Sequence, residues 1–228
     1  MIVRAKIQLL LAARSNEAIA PLVSLLAGRT RGVEGAAVLR ALPRGILGES
    51  PQGGAGGARA PVDAVVEISG DEGTTWDGLA APLAGLGDAI DALVDSDRCG
   101  VIAGLEHHVM PGDDPIALIC PLTRVAALDR AGFQDYWLNR HADFGRRDPA
   151  ARYRQLHQDT AAAALVAAVT GLPPSSYDGT AEAYFGDVAE LAAKLASPEI
   201  AQEAFADEQR FIDHARSFFL PFERVSGE

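Results

Sequence analysis

VDAVVEISGD at residues 62–71 and YDGTAEAYFGD at residues 177–187 decide the fold. Each stretch has an aspartate in its second position, continues with the alternation of a β-strand and closes on Gly-Asp. Asp63 thus stands opposite Asp178 at an offset of about 115 residues, and a repeat at that spacing is a structural statement about the whole chain. The same offset pairs the opening strands, IVRAKIQLLLAA with IALICPLTRV, and the closing strands, CGVIAGLEHHV with RSFFLPFERV. Between the halves lies the turn-rich joint VMPGDDP, residues 109–115.

Read outward from these strands, each half has the order βαββαβ. NEAIAPLVSLLAGR and WDGLAAPLAGLGDAIDALVDS supply helical periodicity in the first half, and DRAGFQDYWLNRHADFG and the run 188–215 supply it in the second. A βαββαβ unit forms a four-stranded antiparallel sheet with both helices on one face, which leaves the other face bare. Two such sheets in one chain can bury their bare faces against each other. The expected fold is therefore α+β: tandem ferredoxin-like repeats forming an intramolecular pseudo-dimeric α+β barrel. Residues 1–112 form a degenerate repeat, and residues 113–228 form the repeat carrying the site.

Composition narrows the function classes. The 228 residues are 48% apolar, enough for a real core, and 20 Lys+Arg against 31 Asp+Glu give a net charge of −11. That charge works against nucleic acid and anionic lipid and favours small neutral partners. The apolar run in MIVRAKIQLLLAARS is too short for a membrane span, and its Arg4 and Lys6 alternate as in a strand, so the chain reads as cytoplasmic. Cys99 and Cys120 read as buried free thiols, with no metal-type spacing around either. GGAGG at 53–57 lacks the helix start and the Lys-Ser/Thr of a phosphate loop. No metal and no cofactor are expected.

The polar chemistry gathers in the second half. On the helix 130–144, Phe133, Trp137, Arg140, His141 and Phe144 fall on one face, which should turn toward the sheet. On ARYRQLHQ, Tyr153, Gln155 and His157 alternate onto one face of a strand. Glu182 and Tyr184 share a face of the next strand, and His214 precedes the last one. His107 and His108 are adjacent on a strand and must point to opposite faces. Each feature also has a bland explanation: a core histidine satisfied by its neighbours, a polar strand face in water, or Asp178 as a turn cap. The acidic run Asp207, Glu208 and Asp213 reads as a solvated helix face. The apolar connection 159–176 suggests a short helix or lid over the second-half pocket.

The runs FQDYWLNRHADFGRR, ARYRQLHQ, YDGTAEAYF and DEQRFIDHARS, from about residue 116 to 225, resemble an EthD-type domain of the dimeric α+β barrel superfamily. The resemblance implies fold better than reaction, because relatives include cofactor-free isomerases, cyclases, dehydratases, haem enzymes and monooxygenases. It favours His141 as a general acid/base, with His157 and Tyr153 donating to a carbonyl or phenolic oxygen. It makes Trp137, Arg140, Tyr184 and His214 supporting residues and makes Asp178 a candidate to orient a histidine. At the repeat offset His141 falls opposite Leu26 and His157 opposite Leu42, so only the second half is equipped.

The expected function is a cofactor-independent lyase or isomerase acting on a hydrophobic aromatic or polyketide-like molecule. The alternatives are a non-catalytic binding protein for such molecules, an accessory protein of an oxidative degradation pathway, and haem-assisted oxidation. Internal pairing leaves the chain a monomer or a homodimer.

Overall fold

The computed structural model describes residues 1–43, 45–46, 62–71, 73–147, 152–196 and 198–225. The glycine-rich stretch 53–57 lies outside the described residues. The first half runs β1 (Ile2–Leu11), α1 (Asn16–Thr30), β2 (Ala36–Ala41), β3 (Ala64–Gly70), α2 (Trp76–Ala80), α3 (Leu86–Ile90) and β4 (Gly100–Met110). The second half begins with β5 (Ile116–Leu122), α4 (Arg130–Tyr136), a π-helical turn (Trp137–His141), α5 (Ala142–Arg146) and β6 (Tyr153–Gln158). It continues with α6 (Thr160–Thr170), β7 (Gly179–Phe185), α7 (Val188–Ala196), α8 (Pro198–Glu208) and β8 (Leu220–Arg224).

The strands close into one antiparallel barrel in the order β1-β3-β2-β8-β5-β7-β6-β4. The first-half strands lie side by side as β4-β1-β3-β2 and the second-half strands as β6-β7-β5-β8. Two seams join them: β4 on β6, from Gly104↔Gln158 to Met110↔Tyr153, and β2 on β8, from Leu39↔Arg224 to Ala41↔Phe222. Closure pairs the backbone groups that two open sheets would leave at their edges.

Strand alternation sorts the side chains into layers. Along β1, Ile7, Leu9 and Leu11 point outward into an aliphatic layer with Leu22 and Leu26 of α1 and Ile90 of α3. Leu10 points inward to join Leu39, Val65, Ile102, Ile119, Leu156, Tyr184 and Phe222 in the lumen. Outside the second-half sheet lies an aromatic layer, where Cys120 and Leu122 meet Phe133, Trp137, Phe211 and Ile212. Both cysteines are buried and free.

Local chemistry modifies the helices expected from periodicity. The run 76–96 is interrupted: Pro82 sits in a single 3-10 turn, Ala81–Leu83, and Gly85 takes the left-handed conformation at φ 65°, so α2 and α3 are separate short helices. The connection after β6 contains α6, capped by Asp159, which accepts from the backbone N–H of Ala161 at 2.8 Å. Its Ala162, Ala163 and Val166 pack into the first-half layer, so α6 covers β4 and lies beside α2, and it is not a lid over the second half. The reason is compositional, since a face of alanines and valine needs an apolar neighbour, and the exposed side of β4 provides it. Among the described residues no helix is long and apolar enough to cross a membrane.

Candidate functional site

The helix α4 starts where Asp129 accepts a hydrogen bond from the N–H of Gly132 at 2.7 Å. At Trp137–His141 the backbone widens into a π turn, a feature frequent at functional sites. This turn decides which side chains face the sheet. Phe133 and Trp137 are fully buried and His141 is 8% exposed. Arg140, expected on the same face, is instead exposed, with its guanidinium 5.7 Å from the Tyr136 ring centroid. The extra residue of the wider turn rotates position 140 away from the row that α-helical spacing predicts.

Glycines make room for the aromatic layer. A Cβ on Gly179 would stand 2.9 Å from Cζ3 of Trp137, and one on Gly145 would stand 3.0 Å from Cδ1 of Tyr153. The Trp137 ring consequently lies flat on β6, stacked on His157 with centroids 4.8 Å apart. Its Nε1–H donates to the Tyr153 hydroxyl at 2.8 Å. The Gln155 amide donates to the Trp137 carbonyl at 3.1 Å and to the Tyr153 hydroxyl at 3.2 Å. Its Oε1 therefore faces His157 Nε2 at 3.0 Å and requires the N–H on that nitrogen. His157 is left with a lone pair on Nδ1 and no further N–H, so the oxyanion-donor task expected of both residues falls to Tyr153 alone. Burial, and then the neighbouring His107, push the His157 imidazole down to about 3, so it is neutral at physiological pH. His107 packs at 4.6 Å from it, while His108, on the inner face, meets Glu106 at 2.6 Å. Burial also raises the Tyr153 phenol, against the hydrogen bonds from Trp137 and Gln155.

One helical turn beyond Trp137, His141 Nδ1 lies 2.9 Å from Asp207 Oδ2, and Tyr136 donates its hydroxyl to Asp207 Oδ1 at 2.6 Å. Burial raises Asp207, but the hydrogen bonds from Tyr136 and His141 outweigh it and hold the carboxyl below its usual range. An ionised Asp207 fixes the proton of His141 on Nδ1 and leaves Nε2 as the basic atom. Burial lowers the His141 imidazole, opposed by Asp207, so at neutral pH the ring is a neutral base. Nε2 faces Glu208 Oε1 at 3.9 Å, and Glu208 Oε2 lies 3.5 Å from His214 Nε2. The His141 ring is walled by Phe211 at 4.9 Å and Phe144 at 5.3 Å.

Of the remaining expected residues, Tyr184 and Asp178 lie elsewhere and His214 lies at the rim beside Glu208. Tyr184 points into the lumen, where its hydroxyl donates to Glu182 at 2.6 Å and the Arg154 guanidinium covers its ring at 4.6 Å. Its strand position puts it on the face of the sheet opposite His141, because Thr180, Glu182 and Tyr184 alternate inward. Asp178 accepts from the backbone N–H of Arg124 at 2.9 Å and from Arg130 at 3.1 and 3.2 Å. Among the described residues no histidine is its partner, so it ties α4 to the start of β7. His214 packs between Phe205 and Phe219 at the edge of the aromatic layer. Of the first-half counterparts, Leu26 is buried in the aliphatic layer, whereas Leu42 packs beside Ile116, Phe185 and Leu191.

Two sets of residues went unread in the sequence. Asp207 and Glu208 were assigned to solvent, although Glu208 follows Phe205 by three positions and precedes Phe211 by three, the spacing of a shared helix face. In the lumen, Lys6 is 1% exposed and its Nζ lies 2.9 Å from Glu67, 2.8 Å from Glu106 and 2.7 Å from Glu182. The signal there was the alternation of Arg4, Lys6 and Gln8 through an otherwise apolar strand, opposite two glutamates at the repeat offset.

Among the described residues no group of three or more His, Cys, Asp or Glu side chains could hold a metal ion. His157 is packed between Trp137 and His107, whereas His141, bonded through Nδ1, keeps Nε2 free of a hydrogen bond among the described residues.

Comparison with known proteins places this geometry. Residues 126–215 match the EthD domain, a narrower span than the resemblance suggested. Comparison with curated protein sequences finds no match. Among solved structures, an anthrone oxidase-like protein superposes with a TM-score of 0.60 at 10% identity, covering 98% of this chain and 92% of that one. A chlorite dismutase from Candidatus Nitrospira defluvii superposes with a TM-score of 0.46 at 12% identity, covering 97% and 91%. Residues 126–215, which match the EthD domain, thus lie in the second half of a closed antiparallel barrel whose fold is similar to that of the anthrone oxidase-like protein.

Proposed function

We propose that the protein is a cofactor-independent lyase or isomerase that moves a proton next to a carbonyl or phenolic oxygen of an aromatic or polyketide-like molecule. The observation that carries this reading is the buried Asp207–His141 pair, 2.9 Å apart, with an unspent Nε2 inside an aromatic layer. Asp207 orients the imidazole and stabilises its protonated form as His141 takes a proton. The Tyr153 hydroxyl already accepts from Trp137 and Gln155, so its own proton is the one free to meet a developing oxyanion. Phe133, Trp137 and Phe211 would face the flat, apolar body of the substrate.

The tandem organisation belongs to the same proposal. Residues 1–112 are a repeat whose helix–sheet layer is aliphatic, and residues 113–228 are the repeat that works. Both strand orders support this division, as does the role shared by Asp63 and Asp178. Asp63 accepts from the N–H of Ala13 after β1, and Asp178 accepts from that of Arg124 after β5. The internal pairing leaves a monomer or a homodimer equally able to form the site.

The test is deuterium uptake. The protein is incubated in D₂O with aromatic and polyketide-type ketones and phenols, and label at the carbon beside the oxygen is read by mass spectrometry. Wild type is expected to exchange that position, and a folded His141→Ala variant is not. A folded variant with full activity, or one that loses activity only by unfolding, would sink the assignment of His141. A ligand that stays bound through native mass spectrometry without exchange would instead support a binding protein.

A further inference from the structure

Glu208 is a carboxyl of the helix–sheet layer that meets two histidines without a hydrogen bond to either. Among the described residues it makes no hydrogen bond, and its two oxygens face His141 Nε2 at 3.9 Å and His214 Nε2 at 3.5 Å. Its side chain is only 19% exposed. A carboxylate in such a place loses hydration with no donor to replace it, so the neutral acid is favoured.

We propose that Glu208 is the acid partner of His141, the group that delivers a proton to the substrate oxygen while His141 removes one from carbon. This rests on the proposed proton-transfer function and adds to it a second reacting group. The titratable groups around Glu208 are Asp207 on its own helix, His141 on the π turn and His214 beyond α8, with Cys120 on β5 and Tyr153 on β6 within electrostatic reach. Burial, and then the Asp207 charge, raise Glu208 to about 7, while burial keeps His141 neutral. Near neutral pH a sizeable fraction of the sites thus holds a protonated acid beside an unprotonated base, the division of labour an isomerase needs.

The step balances within the pair. The C–H bond breaks, its proton goes to Nε2, and its electron pair becomes the carbon–carbon double bond of the enol. The carbonyl π pair moves onto oxygen, which takes the proton of Glu208 with Tyr153 donating alongside. The site then holds an imidazolium beside a carboxylate, and a proton returning from Nε2 to Glu208 restores the starting state. The 3.9 Å gap closes to hydrogen-bonding distance with a side-chain movement of about 1 Å.

Two readouts test the proposal independently. In the first, the Glu208 carboxyl carbon is titrated by NMR in isotopically labelled free protein. A midpoint near neutrality that shifts in His141→Gln is expected, and a midpoint in the ordinary carboxylate range, indifferent to His141, overturns the proposal without any substrate. In the second, deuterium uptake is followed in Glu208→Gln and Glu208→Asp. A fall in kcat of at least about 100-fold with little change in KM is expected for Glu208→Gln, with partial recovery in Glu208→Asp, which keeps the acid on a shorter arm. If His141→Ala abolishes exchange while folded Glu208→Gln retains it in full, the acid role fails and the proposed function stands. If neither change affects exchange, the function itself fails.

Discussion

Two charged clusters occupy opposite faces of the same two strands, and they are built on opposite rules. On the lumen side of β6 and β7, Lys6 is shared among three glutamates, Gln8 donates to Glu67 at 2.8 Å and to Glu182 at 3.0 Å, and Tyr184 donates to Glu182. Arg154 adds a second positive charge 3.6 Å from Glu106. His108 Nε2, 2.6 Å from Glu106, is a third basic group beside the three carboxylates. Burial, relieved by Lys6 and aggravated by the other two glutamates, raises Glu182 to about 7. The lumen leaves the neutral Gln8 Oε1 and Thr180 Oγ1 and the Arg154 Nε without a hydrogen bond but pairs its carboxylates, whereas on the helix side Glu208 and Nε2 of His141 are left without one. Satisfied buried charge holds a barrel together, whereas unsatisfied buried charge costs stability and is retained where chemistry uses it.

The largest effect expected from breaking this contrast is in the lumen. Lys6→Met strands three buried carboxylates and should cost about 3–5 kcal/mol in denaturant unfolding, while leaving the helix-side residues in place. A second change, Glu182→Gln, should restore part of that loss, because it removes one of the charges left unpaired. Simple additivity in the double-mutant cycle would show that the cluster is not one network.

Glu208→Gln should act in the reverse direction on stability. A carboxyl raised from 4.5 to about 7 binds its proton more tightly in the folded chain, so its contribution is complete below pH 4.5 and is lost as pH rises through 7. The variant should match wild type at pH 4.5 and exceed it by about 3 kcal/mol at pH 8, measured as the difference between two denaturation series. An inactive yet more stable variant is the signature of a residue kept for function. A constant difference across that range would place Glu208 in solvent.

Smaller effects belong to the groups behind His141. Asp207→Asn removes the charge that orients the imidazole and should slow deuterium uptake about 10–100-fold while lowering the His141 titration further. Tyr136→Phe deletes only one hydrogen bond to Asp207 and should cost about 1 kcal/mol in the same assay. If the two variants were equally damaging, Asp207 would be acting through Tyr136 and not through His141.

Much of this arrangement could be read before folding. The period of two in each strand, the offset joining Asp63 to Asp178 and the polar face Tyr153–Gln155–His157 are properties of spacing, and spacing is visible in a string of residues. Trp137 and His141 were legible as inward for the same reason. Arg140 was not, because the π turn Trp137–His141 turns that position outward and no local motif announces it. Tyr184 was assigned to the wrong cluster, since alternation states which residues share a face but not which face becomes the lumen. Asp207 and Glu208 looked solvated because acidic helix residues usually are.

By itself the sequence determined the strands, the helix starts at Asp129 and Asp159, and the order in which elements follow one another. Those depend on neighbours within a few residues, where backbone sterics and local hydrogen bonds act. Only the tertiary structure decided that Lys6 would meet Glu182 across 176 residues, and that Glu208 would stand between two histidines. Closing the barrel chooses those partners, and once they are withdrawn from water their charges are settled by each other.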